Sequence, residues 1–422
     1  MMPERRPAST PTRIAMWIIW QMTNAPSPRT TPGAPGAGPL AGVKILDLTA
    51  VLMGPLATHI LASLGAEVTK IEAPEGDNIR DIGAKRHAGM GHIFMQVNQG
   101  KKSVVLDLKT QQGRQAVVQL AQQHDVLITN VRPAAMKRLG LDYETVKLAC
   151  PRLIYVSCVG YGQTGPYAAR PAYDDLIQGA VGIPWLMQQY GTPEPCYAPV
   201  TLADRVTGLH AVYAVTAALY AREKTGVGQH VEVPMFEALA QFVLGDHIAG
   251  HSFTPALGAA GYQRLLTPNR KPYKTKDGYL CVLIYNDKHW KSFFNAVGDP
   301  QRMELDRRFA NQGQRSNHID AVYAYVVEAL QHRSTADWKL LLDKADIPYA
   351  QINSPEELVK DPHLNAVGFF VESQHPTEGA IRTMRTPTRW SGTPTAGLSP
   401  YPELGEHTEQ VLQAAALVQN EP

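Results

Sequence analysis

Residues 43–71, VKILDLTAVLMGPLATHILASLGAEVTKI, contain the pattern that decides the fold. The apolar run Val43–Leu48 is typical of a buried strand, Pro55–Leu64 of a helix, and Ala66–Ile71 of a second strand. Gly65 lies between the helix and the second strand, where a residue that ends a helix is expected. The order strand, helix, strand predicts a parallel pair of strands joined by a helix.

The same alternation continues through the first half of the chain. Further strands are predicted at 103–108, 125–129, 153–159 and 230–234, and further helices at 110–122, 209–222 and 236–250. Alternating strands and helices indicate an α/β fold whose parallel sheet is covered on both faces. The segment Leu209–Arg222 is apolar all round, which predicts a central, buried helix.

The pattern changes after residue 269. A hairpin is predicted at Tyr273–Tyr285, turning at Asp277-Gly278, because an Asp-Gly pair favours the tight turn between two strands. Helices are then predicted near 287–297, 318–331 and 335–345, followed by a strand near 381–386 and a last helix at 408–417. The segment that starts at the hairpin is predicted to be a second, smaller domain.

Composition excludes several classes of protein. The 422 residues are 44% hydrophobic and carry 40 Lys and Arg against 38 Asp and Glu, so no nucleic-acid partner is expected. No stretch approaches the ~20 apolar residues of a membrane span. The four cysteines form no CxxC pair and no cluster with metal-ligand spacing, so we predict no metal site and reduced thiols in a cytoplasmic protein.

The glycine-rich sequence Gly160-Tyr-Gly-Gln-Thr-Gly165 matches the GxGxxG pattern of dinucleotide sites. That pattern binds a pyrophosphate when its last glycine begins a helix, and an acid about 20 residues further on binds the ribose. Here Pro166 and Pro171 follow and no such acid is present. We interpret the segment as a glycine-rich loop, and an oxidoreductase that uses NAD is one alternative function.

Asp204 is the most informative single residue, because a lone acid precedes an apolar helix. One interpretation is a helix cap that accepts hydrogen bonds from the amides of Val206 and Thr207. The other is a reactive carboxylate, kept ionised by the same amides and by the helix dipole. Helix capping is also the favoured role for the acids of Tyr173-Asp174-Asp175, and His210 is predicted to be a packed, hydrogen-bonded core histidine.

An ordered set of motifs resembles class III CoA-transferases, a family that includes formyl-CoA transferase, carnitine CoA-transferase and α-methylacyl-CoA racemase. The resemblance runs from about Leu40 to Leu417. The motifs are Leu40–Thr49, Gly54-Pro55, Leu64–Glu72, Asn98–Lys109, Arg138–Gly140, Gly160–Pro166, Lys224–Gln229, Lys276–Gly278 and Leu404–Thr408.

The resemblance implies a Rossmann-like large domain, a smaller α+β domain and an interlocked homodimer. In this division 39–235 are the first part of the large domain, 236–262 a linker helix and loop, 263–350 the small domain, and 351–422 the part that completes the large domain. Residues 1–38 precede the segment that carries the resemblance, and their richness in Pro, Ser, Thr, Gly and Ala predicts a disordered N-terminal extension.

The resemblance also implies the site. The catalytic aspartate falls on Asp204, and Tyr173 stands where the racemases have a histidine. Because a tyrosine with a pKa near 10 is a poor base, Tyr173 favours transfer over racemisation. The CoA-binding positions carry over onto Val51, Leu52, Met53, Leu106, Lys109, Asn130, Ala135, Arg138 and Met235.

The activity implied is transfer of CoA from an acyl-CoA donor to a carboxylic acid acceptor, with the CoA thioester as substrate and no cofactor. Formyl-CoA transferase has a glutamine at Leu52 and an arginine at Ala73, and its glycine run is missing near Arg264–Lys271, so formate and oxalate are not expected substrates. A loop at Gly258–Lys271 is predicted to cover the site. The alternatives are an acyl-CoA racemase or isomerase that uses Asp204, and a CoA-binding protein without catalytic activity.

Overall fold

The computed structural model describes residues 37–395 and 397–419. The strands in this part of the chain are β1 Lys44–Leu48, β2 Glu67–Glu72, β3 Lys101–Val105, β4 Val126–Thr129, β5 Ile154–Val159, β6 His230–Pro234, β7 Tyr273–Lys274, β8 Tyr279–Val282, β9 Tyr349–Ala350, β10 Phe370–His375 and β11 Gly379–Met384.

The helices of the first half are α1 Met53–Ser63, α2 His92–Asn98, α3 Gln111–Ala121, α4 Pro133–Leu139, α5 Tyr143–Ala149, α6 Asp174–Ala180, α7 Ile183–Tyr190, α8 Leu202–Thr225 and α9 Met235–His247. Those of the second half are α10 Gln263–Leu266, α11 Asp287–Val297, α12 Arg302–Leu305, α13 Gln312–Asn317, α14 Ile319–Leu330, α15 Thr335–Ala345, α16 Pro355–Val359, α17 Pro362–Ala366 and α18 Thr408–Gln419.

The first six strands form one parallel sheet in the order β3-β2-β1-β4-β5-β6. The predicted parallel sheet is therefore confirmed. The chain runs outward in one direction through β1, β2 and β3, then returns to the other side of β1 to build β4, β5 and β6. Because the loops after β1 and β4 leave toward opposite faces, a crevice opens at the carboxyl ends of these two strands.

Both faces of the sheet are buried, as a parallel sheet requires. Successive residues alternate between two apolar clusters, so that Ile45 faces α1, α8 and α9 whereas Leu46 faces α3, α4 and α18. The alternation is the two-residue period of a strand, and here both sets are apolar. This explains why β4 and β5 are buried along their whole length and are mostly apolar, whereas β1 is apolar except at Lys44 and the buried Asp47.

The hairpin and helices after residue 269 have a core of their own. β7 and β8 pair antiparallel on either side of the Asp277-Gly278 turn, and β8 also pairs with β9. The buried side chains of this cluster all fall between Tyr273 and Ile347, with Trp290, Phe293 and Trp338 at its centre. The predicted hairpin and its three main helices are confirmed.

The last part of the chain returns to the large sheet. The amide of Val105 donates to Thr408 Oγ1 at 3.0 Å, and the amide of Gly405 donates to Ser103 Oγ at 2.9 Å. Helix α18 then packs on the β3 and α3 side, where Ala415 is buried. Segment 399–408 thus covers the edge strand β3, which would otherwise present unpaired backbone groups.

The structure corrects three predictions about helices. Helix α8 begins at Leu202, seven residues before the predicted start, and α1 begins at Met53, so Pro55 is its third residue rather than its first. Helix α8 is not buried all round, because Leu209 and Tyr220 are more than half exposed. Its buried stripe consists of Ala203, Thr207, Gly208, Ala211, Val215, Ala218, Leu219 and Arg222.

The predicted disordered extension, residues 1–38, lies almost wholly outside the described residues. The structure does place its last two positions: Ala37 bridges to Thr395, and the amide of Gly38 donates to the carbonyl of Pro394 at 3.1 Å. Within the described residues no helix is both long and apolar enough to cross a membrane.

Candidate active site at the carboxyl ends of β1 to β4

A cavity of about 350 Å³ opens at the carboxyl ends of β1, β2 and β3. Its walls come from three loops and from α4: residues 48–50 after β1, residues 70–77 at the end of β2, residues 106–109 after β3, and Val131 with Leu139. Cavities at this edge of an open α/β sheet are the usual ligand sites of such folds. Of the predicted CoA-binding residues, Leu106 and Lys109 line it directly.

Asn130 connects the two strands at the crevice. Its Oδ1 accepts from the amide of Ala50 at 2.9 Å, and its Nδ2 donates to the carbonyl of Ala50 at 2.7 Å. The side chain therefore satisfies both backbone groups of a residue in the turn after β1. This places Asn130 beside the cavity as a residue that shapes the turn.

The remaining predicted CoA-binding residues lie around this edge with different degrees of exposure. Val51 has a positive φ of 69° in the turn after β1. Leu52, Met53 and Met235 are 4–5% exposed and pack into the apolar clusters. Ala135 is half-buried and Arg138 is exposed on α4.

Asp204 is the third residue of α8 and does not cap it. Thr201 occupies the N-cap position, and the Asp204 side chain accepts no amide of its own helix. The prediction that local amides cap Asp204 and keep it ionised is wrong. Burial raises the pKa of Asp204 to about 7, and the nearby carboxylates of Asp174 and Asp175 add to this, whereas Arg205 acts in the opposite direction.

Asp174 faces Asp204 from the neighbouring helix α6. Its Oδ1 accepts from the amide of Asp204 at 3.0 Å, and its Oδ2 accepts from Gln178 Nε2 at 2.6 Å. Asp174 is buried, and it satisfies an amide in the first turn of α8 rather than of α6. The prediction that it caps its own helix is therefore wrong.

Tyr173 precedes Asp174 and occupies the N-cap position of α6, where its side chain is 65% exposed. The polypeptide thus presents Tyr173 to solvent next to the residue that bonds to Asp204. His210, predicted to be a core histidine, is only half-buried, and its Nδ1 lies 3.0 Å from the hydroxyl of Tyr213.

The start of α8 meets the start of α1, which brings the Asp204 turn near the β1 loop. Gly208 makes this possible, because a Cβ at that position would lie 3.0 Å from the carbonyl oxygen of Met53. Ala203 and Met53 belong to the same buried cluster. The helix that carries Asp204 and the helix that follows the turn after β1 therefore pack against each other.

The glycine-rich segment after β5 is a loop, as predicted. No helix begins at Gly165; the next one, α6, begins at Asp174. Two amides of the loop already donate to carboxylates, that of Gly162 to Glu237 at 2.9 Å and that of Gln163 to Glu232 at 3.0 Å. Amides that hold carboxylates leave little for a pyrophosphate.

Sequence reasoning missed Asp174 as the partner of Asp204, and it missed two further residues at the cavity, Lys70 and Asp77. The ionisable residues Lys70, Asp47 and Lys101 within apolar strands were a signal that could have been followed, because buried charges are rarely left unpaired. Among residues 37–395 and 397–419, no three His, Cys, Asp or Glu side chains are grouped to hold a metal ion.

This fold and site define an α/β protein with a ligand cavity at the carboxyl ends of its parallel strands and a perturbed carboxylate nearby. Comparison with known sequences gives the family: the chain belongs to CoA-transferase family III, whose sequence model matches residues 40–408. The predicted membership, and with it the class of enzyme, is confirmed.

Three relatives illustrate the match. The succinate–glutarate CoA-transferase of Agrobacterium fabrum is 33% identical over 89% of this chain and 95% of its own length. The acetyl-CoA:oxalate CoA-transferase of Acetobacter aceti is 33% identical over 86% of this chain and 92% of its own length. A crystal structure of a CAIB/BAIF family protein from Brucella suis has a TM-score of 0.75 at 31% identity, covering 90% of this chain and all of that one.

Proposed function

We propose that this protein moves CoA from an acyl-CoA thioester to a free carboxylic acid through a covalent intermediate on Asp204. The observation that carries the proposal is a carboxylate with a pKa near 7 in the first turn of α8, a helix that packs against α1 directly after the turn that follows β1. Membership of CoA-transferase family III supplies the class of reaction.

The proposed reaction requires a nucleophile that bonds to the acyl group and is later released as a leaving group. The ionised Asp204 attacks the thioester carbonyl, and the CoA thiolate departs with the bonding electron pair to leave an acyl-aspartyl anhydride. The thiolate then attacks the aspartyl carbonyl and expels the donor acid. The acceptor carboxylate attacks the resulting aspartyl thioester, forming a second anhydride and releasing the thiolate. Attack of the thiolate on the acceptor carbonyl yields the new thioester and restores Asp204.

Tyr173 and the cavity supply binding in this proposal. Tyr173 is proposed to orient the donor or to donate to the oxyanion, since its side chain is 65% exposed and it precedes Asp174, which bonds to the amide of Asp204. Lys109, at the cavity wall, and Arg138, exposed on α4, attract the phosphates of the nucleotide. The other carried-over positions frame this edge, and Leu52, Met53 and Met235 support it from the apolar clusters beneath.

The anhydride and thioester intermediates hydrolyse readily, so the site needs a cover. The predicted lid, Gly258–Lys271, is proposed to supply this cover. The first half of the segment is bonded to the end of α9, where the amide of Gly261 donates to the carbonyl of His247 at 2.8 Å, and to Tyr323, whose hydroxyl accepts from Arg264 Nε at 3.0 Å. The second half is held by Asp320, which accepts from the Thr267 hydroxyl and from Asn269 Nδ2, and by Tyr190, which donates to the carbonyl of Arg270 at 2.6 Å.

The direct test is capture of the intermediate. The protein is incubated with an acyl-CoA, quenched in acid and digested, and the peptide that contains Asp204 is measured by mass spectrometry. An adduct on that peptide is expected, with a mass that corresponds to the acyl group or to CoA. An adduct on a different residue, or transfer with no adduct on any peptide, would contradict the mechanism.

The rate is expected to rise with pH through the pKa of Asp204. Since only the ionised carboxylate attacks, kcat/KM should be low at pH 5, increase through an apparent pKa near 7, and level off above pH 8. Asp174→Asn removes a like charge while keeping an acceptor for the Asp204 amide, and should lower that apparent pKa by about one unit. A flat profile between pH 5 and 8 would argue against Asp204 as the nucleophile.

We further propose that the large unit is Rossmann-like, since its strand order is the one typical of dinucleotide-binding folds. The small unit is the segment 263–350, and the ends of the chain build the large one. The exposed apolar side chains of α8 and α9, such as Tyr213, Tyr220 and Phe242, favour burial against a second copy in an interlocked homodimer. Light scattering coupled to size-exclusion chromatography tests the dimer.

The acceptor is proposed to be a small dicarboxylic acid. The two relatives described above are named for succinate and glutarate, and for oxalate. Arg205 is exposed, adjoins Asp204 along α8, and makes no ion pair within the described ranges, so it is available for a second carboxylate. Arg170 is less suited, because its guanidinium lies 3.9 Å above the Tyr167 ring. A panel of donors and acceptors identifies the pair used.

A racemase or isomerase is the second candidate, favoured by one observation. A carboxylate whose pKa is near 7 is suited to general acid and base work at neutral pH, and not only to nucleophilic attack. The two functions separate in heavy water. Exchange of the substrate α-proton with deuterium, without an acceptor acid present, favours racemisation; transfer without exchange favours the CoA-transferase.

A further inference from the structure

The turn Thr49–Val51 is held by side chains from outside it at each of its three residues. Asn130 binds both backbone groups of Ala50, as described above. Lys70, from β2, donates its Nζ to the carbonyl of Thr49 at 2.7 Å. Asp77 accepts from the amide of Val51, at 3.1 Å to Oδ1 and 3.2 Å to Oδ2.

Lys70 and Asp77 form a buried ion pair next to the cavity. The distance from Lys70 Nζ to Asp77 Oδ2 is 3.0 Å, and the two side chains are 0% and 1% exposed. Such a pair is a weak source of stability, because the attraction between the charges is largely offset by their removal from water. Because the pair lies at the cavity and adds little stability, we looked to the turn that it contacts for a second role.

The backbone conformation of Val51 indicates what that role is. Its φ of 69° lies in the left-handed region, which β-branched residues rarely adopt and which is disfavoured by a factor of about 5 to 30. A glycine at this position would adopt the same conformation at no cost. A valine needs contacts from outside the turn, and the bond from its amide to Asp77 is the polar contact that fixes it.

Asp77 is itself held in place by Glu72 and Arg80. Its own amide donates to Glu72 Oε2 at 3.1 Å, and Glu72 is held by Arg80 through bonds of 2.6 and 2.8 Å. The carboxylate of Asp77 thus has a defined position from which to hold Val51. Both Thr49 and Ala50 line the cavity, as do Lys70 and Asp77.

We propose that Lys70 and Asp77 are positioning residues, which hold the turn Thr49–Val51 in the conformation that binds the CoA moiety. This rests on the proposed function, in which the cavity at this edge receives CoA. The pair bonds to the turn, and among the described residues neither Lys70 nor Asp77 makes a hydrogen bond or ion pair with Asp204. Its loss should therefore weaken CoA binding and leave the chemical step nearly unchanged.

The test compares two buried ion pairs removed in the same way. Lys70→Met with Asp77→Ala removes the positioning pair without leaving an unpaired charge. The control, Arg222→Met with Asp125→Ala, removes a pair of similar burial at 3.0 Å near the amino end of β4, the opposite edge of the sheet. For each we measure the Kd of free CoA by calorimetry, together with KM and kcat for acyl-CoA.

We expect the first double variant to raise the Kd of CoA and the KM about tenfold or more, with kcat within about threefold. The control should leave both Kd and KM within about twofold. If the control raises the Kd equally, the effect is structural and the proposal is overturned. Because binding of free CoA needs no turnover, a wild-type protein that fails to bind CoA contradicts the proposed function, whereas equal Kd values in wild type and variant contradict only the positioning role.

The Val51→Gly protein tests whether Asp77 acts through the left-handed conformation of Val51. If Asp77 acts by keeping Val51 left-handed, Val51→Gly should reduce the need for it. Asp77→Ala in the Val51→Gly protein is then expected to weaken CoA binding by no more than about threefold relative to Val51→Gly alone. A loss as large as that caused by Asp77→Ala in the wild type would overturn the assignment to Val51.

Discussion

Asp204→Asn is expected to lower kcat for CoA transfer by about 10⁴-fold or more, because the amide cannot form the anhydride on which the proposed reaction depends. The Kd of free CoA should stay within about threefold of the wild-type value, since Asp204 lies on α8 and is not part of the cavity wall described above. Steady-state kinetics and calorimetry measure the two quantities. Asp343→Asn, at an exposed acid of α15, is the matched control and should keep full activity.

The same variant should be more stable than the wild type at pH 8. The folded pKa of Asp204 is near 7 against an ordinary value of 3.8, so folding disfavours its ionised form. This cost is absent below about pH 4 and fully present above pH 7. With each pKa unit worth about 1.4 kcal/mol, and allowing for partial exposure, Asn should gain about 1–2 kcal/mol at pH 8 and nothing at pH 4. An inactive variant that is also less stable at pH 8 would indicate a structural role for Asp204.

Lys101→Met is expected to destabilise the protein by about 3–5 kcal/mol, the largest effect on stability that we predict. Lys101 and Asp47 are both fully buried, with 3.1 Å between Nζ and Oδ2. Methionine fills much of the same volume but leaves the carboxylate of Asp47 buried without its nearest cation. Urea denaturation followed by circular dichroism measures the loss.

Two further variants separate the effect of the unpaired buried charge from the effect of losing a lysine side chain. Adding Asp47→Asn to Lys101→Met should restore much of the lost stability, because no unpaired charge remains. Lys102→Met, at the neighbouring half-exposed lysine that pairs with Glu67 at 3.3 Å, should cost at most about 1 kcal/mol. A single variant at Lys101 that is no worse than the one at Lys102 would show that the buried pair contributes little.

The loss of stability at acid pH should depend on the same pair, Asp47 and Lys101. Burial by itself would raise the pKa of Asp47, but Lys101, Lys70 and the hydroxyls of Thr49 and Thr58 together lower it to about 2. A carboxylate whose folded pKa is depressed stabilises the protein above its unfolded pKa, near 4. That contribution is lost as the pH falls from about 4 toward 2.

Much of the fold could be predicted from the sequence because local patterns carry it. The strands β1, β2 and β5 and the helices between them follow from the alternation of strand and helix patterns, and the Asp-Gly pair at 277–278 specifies its hairpin. The order of motifs along the chain also identified the family, which the match over residues 40–408 confirms. The strand, helix and turn patterns are properties of residues close together in the chain, and the family assignment rests on the order of the motifs along it.

Three features depended on contacts between distant residues. The exposed side of α8 could not be predicted, because an apolar helix has the same sequence whether its outer face is covered or not. Asp204 was expected to be ionised by its own helix, whereas its pKa is set by burial and by Asp174, 30 residues away. The bond from Asp77 to Val51 spans 26 residues and cannot be read from either segment alone.

The sequence by itself determined the parallel α/β sheet, the separate hairpin-and-helix segment, the family and the identity of the candidate acid. Only the tertiary structure decided the electrostatics of that acid and the conformation of the turn that lines the cavity. The physical reason is that strand and helix periods are local, whereas a pKa or a left-handed backbone depends on which charges and amides the fold brings within about 3 Å of each other.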